Sequence, residues 1–252
     1  VPDDERDRCR ARPGDAIEVS HVRSTVLLGT AVCGLALAAT ALASSGVTHA
    51  SSPTVRLPDP TIDEPLAARS GARTLVLAGG CFWGLQLVFQ HVKGVTAVTA
   101  GYSGGAAETA TYDQVSTGTT GHAESVRITY DPSRITYGRL LKVFFSVATD
   151  PTELNRQGPD VGPQYRSAIF YADQEQQRIA TAYIAQLGSA KSFSAPIVTQ
   201  VVPFKGFYAA EDEHQDFAIK HPDYPYIVIN DAPKLKNLAA EWPGLYQTAA
   251  VR

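Results

Sequence analysis

The only cysteine beyond residue 33 is Cys81, set in LVLAGGCFWGLQLVF (residues 75–89) between the pair Gly79-Gly80 and the aromatics Phe82 and Trp83. A glycine pair lets a chain turn sharply out of a strand. A helix starting there leaves its first N–H groups unpaired, and a thiolate at that end is stabilised by the helix dipole. Free cysteine is also among the most buried and inert residue types, so position alone leaves a nucleophile and a small core residue equally open. Phe82 and Trp83 read either as core aromatics or as walls of a pocket for an apolar, cationic or sulfur-bearing group. His122-Ala123-Glu124 has the H-x-E form of a zinc deaminase site, but the P-C-x-x-C that must follow is missing and no metal is expected.

Holding such a thiol takes a strand and a helix. TLVLA (74–78) reads as a strand, Cys81 to His91 as a helix and VTAVTAGY (95–102) as a second strand. A loop with Gly101, Gly104, Gly105, Gly118 and Gly121 leads to the alternating strand ESVRITYD (124–131), and Asp131-Pro132 turns into an amphipathic helix over 136–148. Beyond a Gly/Pro-rich loop, 150–164, the pattern predicts a strand at 165–172, a helix capped by Asp173 and running to Leu187, and a strand at 196–204. The order βαββαβ is that of an α+β two-layer sandwich with a ferredoxin-like split βαβ core. Two short helices are expected at 210–220 and 232–241, with HPDYPYIVIN between them wrapping the domain.

The uncharged run TVLLGTAVCGLALAATALA (25–43) follows Arg23 and precedes two small-x-small sites, Ala41-Leu42-Ala43 and Thr48-His49-Ala50. That is the pattern of a cleaved export signal, with a retained membrane anchor as the alternative. The acids and arginines of residues 1–20 do not suit such a signal, so translation is expected to start near Val19 or Val22. Residues 1–43 are thus an extension with signal peptide or anchor, and 44–72, with Pro53, Pro58, Pro60 and Pro65, a Pro/Ser-rich linker. The folded domain is 73–242 and the tail 243–252. A periplasmic or otherwise extracytoplasmic location follows as an expectation.

At 252 residues, 44% hydrophobic and 19% charged, the composition is that of an ordinary globular protein. The balance of 22 basic against 25 acidic residues, with no basic block in the last two thirds, speaks against nucleic acid as a partner. Three cysteines without a C-x-x-C pair make neither a disulfide framework nor a dithiol site.

In order along residues 74–230, GGCFWG, GYSGG, TYDQV, GHAESVRITYDP and RQGPDVGPQYRSAIF resemble the successive signature segments of the A-type peptide methionine sulfoxide reductases, the S-epimer class. The resemblance implies that Cys81 is the nucleophile, that Phe82 and Trp83 cage the substrate methyl, and that Glu124 is the acid. It implies that Tyr112, Asp160 and Tyr165 hydrogen-bond the sulfoxide oxygen and order water. The expected activity is reduction of methionine S-sulfoxide, free or in proteins, by a monomer with no metal or organic cofactor. For Glu124 to be neutral near neutral pH, burial must raise its pKa and a neighbouring thiolate would raise it further. Without the resemblance, Glu124 reads as a surface residue at a strand start and the tyrosines as core residues with a wet hydroxyl.

Two positions depart from many family members: Gln86 stands where they carry Glu, and Thr149 where they carry His, which implies tuned activity. Many relatives resolve the cysteine sulfenic acid with further C-terminal cysteines, whereas nothing after Cys81 is a cysteine here. An outside thiol, thioredoxin-like or small-molecule, is then required. The absence of methionine fits a repair enzyme that cannot be its own substrate, and genome bias explains it equally well. His214 and Asp150 read as structural or rim residues, and His91 and His221 as surface residues. Two other classes stand beside this reading: another single-cysteine enzyme such as a peroxidase or hydrolase, and a non-catalytic peptide-binding module using Phe82 and Trp83.

Overall fold

The computed structural model describes residues 57–252, so the apolar run at 25–43 and the sites that follow it lie outside the described residues. Among the described residues no helix is long and apolar enough to cross a membrane. In chain order the elements are β1 (Arg73–Ala78), α1 (Phe82–Gln90), β2 (Val95–Ser103), α2 (Tyr112–Val115), β3 (Ala123–Tyr130) and α3 (Tyr137–Val143). These are followed by β4 (Arg156–Gln157), β5 (Asp160–Val161), β6 (Ala168–Tyr171), α4 (Gln174–Ser189), β7 (Gln200–Pro203), β8 (Phe207–Ala209), α5 (Phe217–Lys220) and α6 (Ala232–Glu241).

The fold is α+β, built on one mixed sheet in the order β7-β6-β1-β3-β2-β8, with β4 and β5 forming a separate hairpin. β6 and β7 are parallel and the other pairs antiparallel. Side chains alternate across a strand. Leu75 and Leu77 of β1 therefore join Val126, Ile128 and Tyr130 of β3 in the large core under α1, α3 and α4. Val76 and Ala78 face the other way, into a small cluster with Ala123, Ala168 and Phe170. α1 is buried along its whole length, which accounts for its nearly unbroken apolar sequence.

The strands and long helices fall close to where the periodicity predicts them, and the exceptions have local causes. The expected helix over 210–220 is reduced to α5, because Asp216 takes a left-handed conformation (φ 59°) and Gln215 is bonded sideways to Ala100 and Ala210. Helix 136–148 becomes α3 followed by a π-turn, Phe144–Ala148. Tyr165 closes a 3₁₀ turn, Pro163–Tyr165, ahead of the strand in which it was expected. Residues 57–72, expected as linker, contain no helix or strand yet lie on the domain. Pro58 accepts from the Tyr183 hydroxyl, and Asp63 and Glu64 accept the N–H groups of Gly138 and Tyr137 at the start of α3. The tail is held to α1 through Gln247 N–H to His91 and Val251 N–H to Gln90. His91 is consequently buried, its ring stacked on Tyr246, and not the surface residue its sequence context implied.

Candidate active site

Cys81 sits at the N-cap of α1, immediately after the turn made by Gly79 and Gly80. Gly80 has φ 101°, and a β-carbon there would come within 2.6 Å of the Gln157 side chain, so both the turn and the close approach of hairpin β4–β5 require glycine. The thiol is 1% exposed. Its helix supplies an unpaired N–H, that of Phe82, and this group donates to Glu124 Oε2 at 3.0 Å.

Glu124 reaches that position by strand periodicity. It lies opposite Tyr102 in the β2–β3 register and on the same face of β3 as Val126 and Ile128, at the end of the buried row that runs beneath α1. Burial raises its pKa to about 8, against the pull of the Phe82 N–H and of a hydrogen bond with Cys81, while the charges of Asp160 and Asp231 add to the rise. The carboxyl is therefore largely protonated at neutral pH. As a hydrogen-bond partner of the carboxylate, Cys81 lowers the value; the rise expected of a thiolate belongs to its ionised form.

Asp160 and Tyr226 close the other side. Asp160, in the two-residue strand β5, accepts a hydrogen bond from the Tyr226 hydroxyl, and burial raises its pKa to about 6. The Tyr226 hydroxyl is held protonated by burial and by the charges of Cys81, Asp231 and Asp160 around it.

The aromatic surround is continuous. Trp83 stacks on Phe217 with centroids 3.8 Å apart and meets Tyr226 edge-on at 6.1 Å. Phe82 packs against Tyr102 and His214. Tyr112 stands 4.4 Å from the His214 ring, with its N–H on Glu211 and the Tyr102 hydroxyl on the same carboxylate.

Cys81, Phe82, Trp83, Glu124 and Asp160 are thus brought together, and Tyr112 lies beside them across His214. Tyr165 is buried on the 3₁₀ turn that packs against β3, five residues after Asp160. Asp150 is exposed and turned to its own loop, accepting from Thr152. Gln86, in place of an acid, ties α1 to Val98 and Asp216 through its amide, and Thr149 bonds Gln157. Tyr226, Tyr102 and Asp231 were not found by sequence reasoning. The aromatic cluster of HPDYPYIVIN marks the right segment, but nothing in its spacing says which tyrosine turns inward.

A thiol at a helix N-terminus, a buried protonated carboxyl bonded to that helix's first N–H and an apolar aromatic wall can together attack a polarisable sulfur and protonate an oxygen bound to it. Residues 73–244 match the family model described as peptide methionine sulfoxide reductase. The chain is 58% identical to peptide methionine sulfoxide reductase MsrA 2 of Mesorhizobium japonicum over 184 residues, covering 73% of this chain and 94% of that protein. It is 50% identical to MsrA 2 of a Synechocystis species, covering 74% and 88%. Among solved structures, methionine sulfoxide reductase A of Corynebacterium diphtheriae superposes with a TM-score of 0.53 at 35% identity, over 66% of this chain and 84% of that one. Reduced Mxr1 of Saccharomyces cerevisiae gives 0.54 at 29% identity, over 64% and 94%.

Proposed function

Because the chain belongs to the peptide methionine sulfoxide reductase family, we propose that Cys81 attacks the sulfur of methionine S-sulfoxide while Glu124 gives its proton to the departing oxygen. The protein is a peptide-methionine (S)-S-oxide reductase, and its reaction is thiol-dependent reduction of methionine sulfoxide to methionine. The observation that carries the residue assignment is the hydrogen-bonded set of Cys81, the Phe82 N–H and a Glu124 carboxyl protonated up to about pH 8.

The Cys81 sulfur, as thiolate, bonds to the sulfoxide sulfur while the Glu124 proton goes to oxygen, and the protonated oxygen then passes to the Cys81 sulfur as both the S–O bond and the new S–S bond break. Methionine leaves and Cys81 is a sulfenic acid, oxidised by the two electrons the substrate has gained. One external thiol condenses with the sulfenic acid, releasing water and forming a mixed disulfide. A second displaces it, restoring Cys81. Phe82 and Trp83 offer the methyl group an apolar wall, and the Tyr112 and Tyr165 hydroxyls donate to the oxygen without changing charge. Asp160, bonded to Tyr226, orders the water and donors on the oxygen side. With Cys81, Phe82, Trp83 and Glu124 all at most 2% exposed, substrate entry requires hairpin β4–β5 or the Tyr224–Asp231 segment to move aside.

A thioredoxin-like or small-molecule thiol as reductant, a monomeric state and free as well as protein-bound substrate belong to the same proposal. So does export, supported by the apolar run 25–43 and its small-x-small sites. The inner strand order β6-β1-β3-β2, with α1 and α3 as crossovers, supports the ferredoxin-like split βαβ reading of the core. The test is to give the reduced protein each methionine sulfoxide epimer without reductant. One equivalent of methionine from the S epimer, with a sulfenic acid at Cys81, is expected. Equal reaction with the R epimer, or release by Cys81→Ser, would overturn the assignment.

A further inference from the structure

Asp231 is a fully buried carboxylate that the reaction above does not use. It stands at the N-cap of α6, ahead of Pro233, where an aspartate ordinarily accepts a hydrogen bond from the helix N-terminus. Here it makes no capping bond, because the chain enters α6 already helical from the π-turn Ile227–Asp231. The carboxylate is turned instead onto α1. A methyl group at Gly84 would overlap Asp231 Oδ1 and come within 2.8 Å of Lys234 Nζ. Lys234 donates to Oδ1 at 3.2 Å, and Oδ2 has no hydrogen-bond partner among the described residues. Gly84 is three residues from Cys81, and the segment pinned there carries Tyr226, which bonds Asp160, and Tyr224, which meets Trp83 edge-on.

We infer that the Asp231–Lys234 ion pair is a positioning element of the catalytic centre: seated on Gly84, it holds the Tyr224–Asp231 segment closed over Cys81 and fixes a buried charge beside Glu124 and Asp160. This rests on the reading of Cys81 and Glu124 given above. Breaking a buried pair strands the surviving charge, so the closed segment is held in place only while both partners are present. The groups facing Glu124 are Cys81 and the Phe82 N–H from α1, Tyr102 from β2, Asp160 from β5 and Asp231 from the C-terminal segment. Burial does most to keep Glu124 protonated and the charge of Asp231 adds to it, while burial raises the pKa of Asp231 itself and Lys234 draws it back down.

The experiment uses the full chain, a peptide methionine S-sulfoxide and dithiothreitol, reading kcat/KM against pH together with the rate at which iodoacetamide alkylates Cys81. Asp231→Asn should lower kcat/KM by up to roughly tenfold through misplacement of Tyr226. It should also speed alkylation at least about tenfold by opening the segment, and move the alkaline limb of the pH profile down by about half a unit or more as a negative charge beside Glu124 is lost. Lys234→Arg, which keeps the charge, should stay near wild type. Leu238→Ala removes buried side-chain volume from the same helix while keeping both partners of the pair. It is the control for general loosening and should leave limb and alkylation rate within about twofold. The inference is overturned if Asp231→Asn leaves alkylation and limb unchanged, or if Leu238→Ala reproduces both effects. If Glu124→Gln keeps the wild-type alkaline limb, the acid assignment fails instead, and the alkylation result still decides closure.

Discussion

Glu124 is delivered to Cys81 by the regular alternation of β3, whereas Asp160 and Tyr226 reach the same thiol from segments with almost no regular structure. On the first side, a glycine turn, a helix N-terminus and a strand face place the nucleophile and the acid, each fixed by the backbone. On the second, a hairpin of two-residue strands meets the segment of a five-residue π-turn through the Tyr226–Asp160 side-chain bond, and Asp231–Lys234 ties that π-turn to α6. The difference teaches a division of labour. The groups that react sit on elements that cannot shift without unfolding the sheet, and the groups that close over them sit where a few side-chain bonds can open.

The sharpest break of that comparison is on the rigid side. Cys81→Ser should abolish methionine release altogether, measured in a single turnover without reductant. Glu124→Gln should cost about 10²- to 10⁴-fold in kcat/KM, the usual worth of a general acid. The wild-type value should fall above about pH 8 as Glu124 ionises. Stability follows the same group with a definite sign. The folded pKa lies above the unfolded one, so the folded state binds the extra proton, and stability present below about pH 4.5 is lost as pH rises through about 8. Asp160 behaves likewise toward about 6. Thermal melting from pH 5 to 9 should therefore fall less steeply for Glu124→Gln than for wild type, an enzyme dead but better folded in alkali.

On the irregular side the effects should be smaller. Tyr226→Phe removes the hydroxyl from Asp160 and should lower kcat/KM roughly tenfold, about 1.4 kcal/mol, with little change in melting temperature. Gly80→Ala tests the hinge between the two sides. Its φ of 101° and the Gln157 side chain behind it should make the substitution cost about 1–3 kcal/mol in denaturant unfolding. Ile229→Ser, at a side chain 65% exposed on the π-turn, should stay within about 0.5 kcal/mol.

Much of the rigid side can be read along the chain. The Gly79-Gly80 turn, the helix over Phe82–Gln90 and the alternation of ESVRITY each follow from local pattern. The same alternation that marks β3 as half-buried puts Glu124 on the inward row, which a reading of Glu as a surface residue misses. The irregular side is silent for a physical reason. Asp231 ahead of Ala232-Pro233 reads as an ordinary helix cap, and only its turn toward Gly84, 147 positions earlier, makes it a buried charge.

The sequence by itself determined which residues can react: one thiol at a strand-to-helix turn, and motifs in an order that matches a family of sulfoxide reductases. Tertiary structure alone decided that Glu124 is protonated and that Tyr226 and Asp231 belong to its site. A pKa is set by how much water and how many charges surround a group, and those neighbours come from β2, β5 and the C-terminal segment, which meet only when the chain is folded.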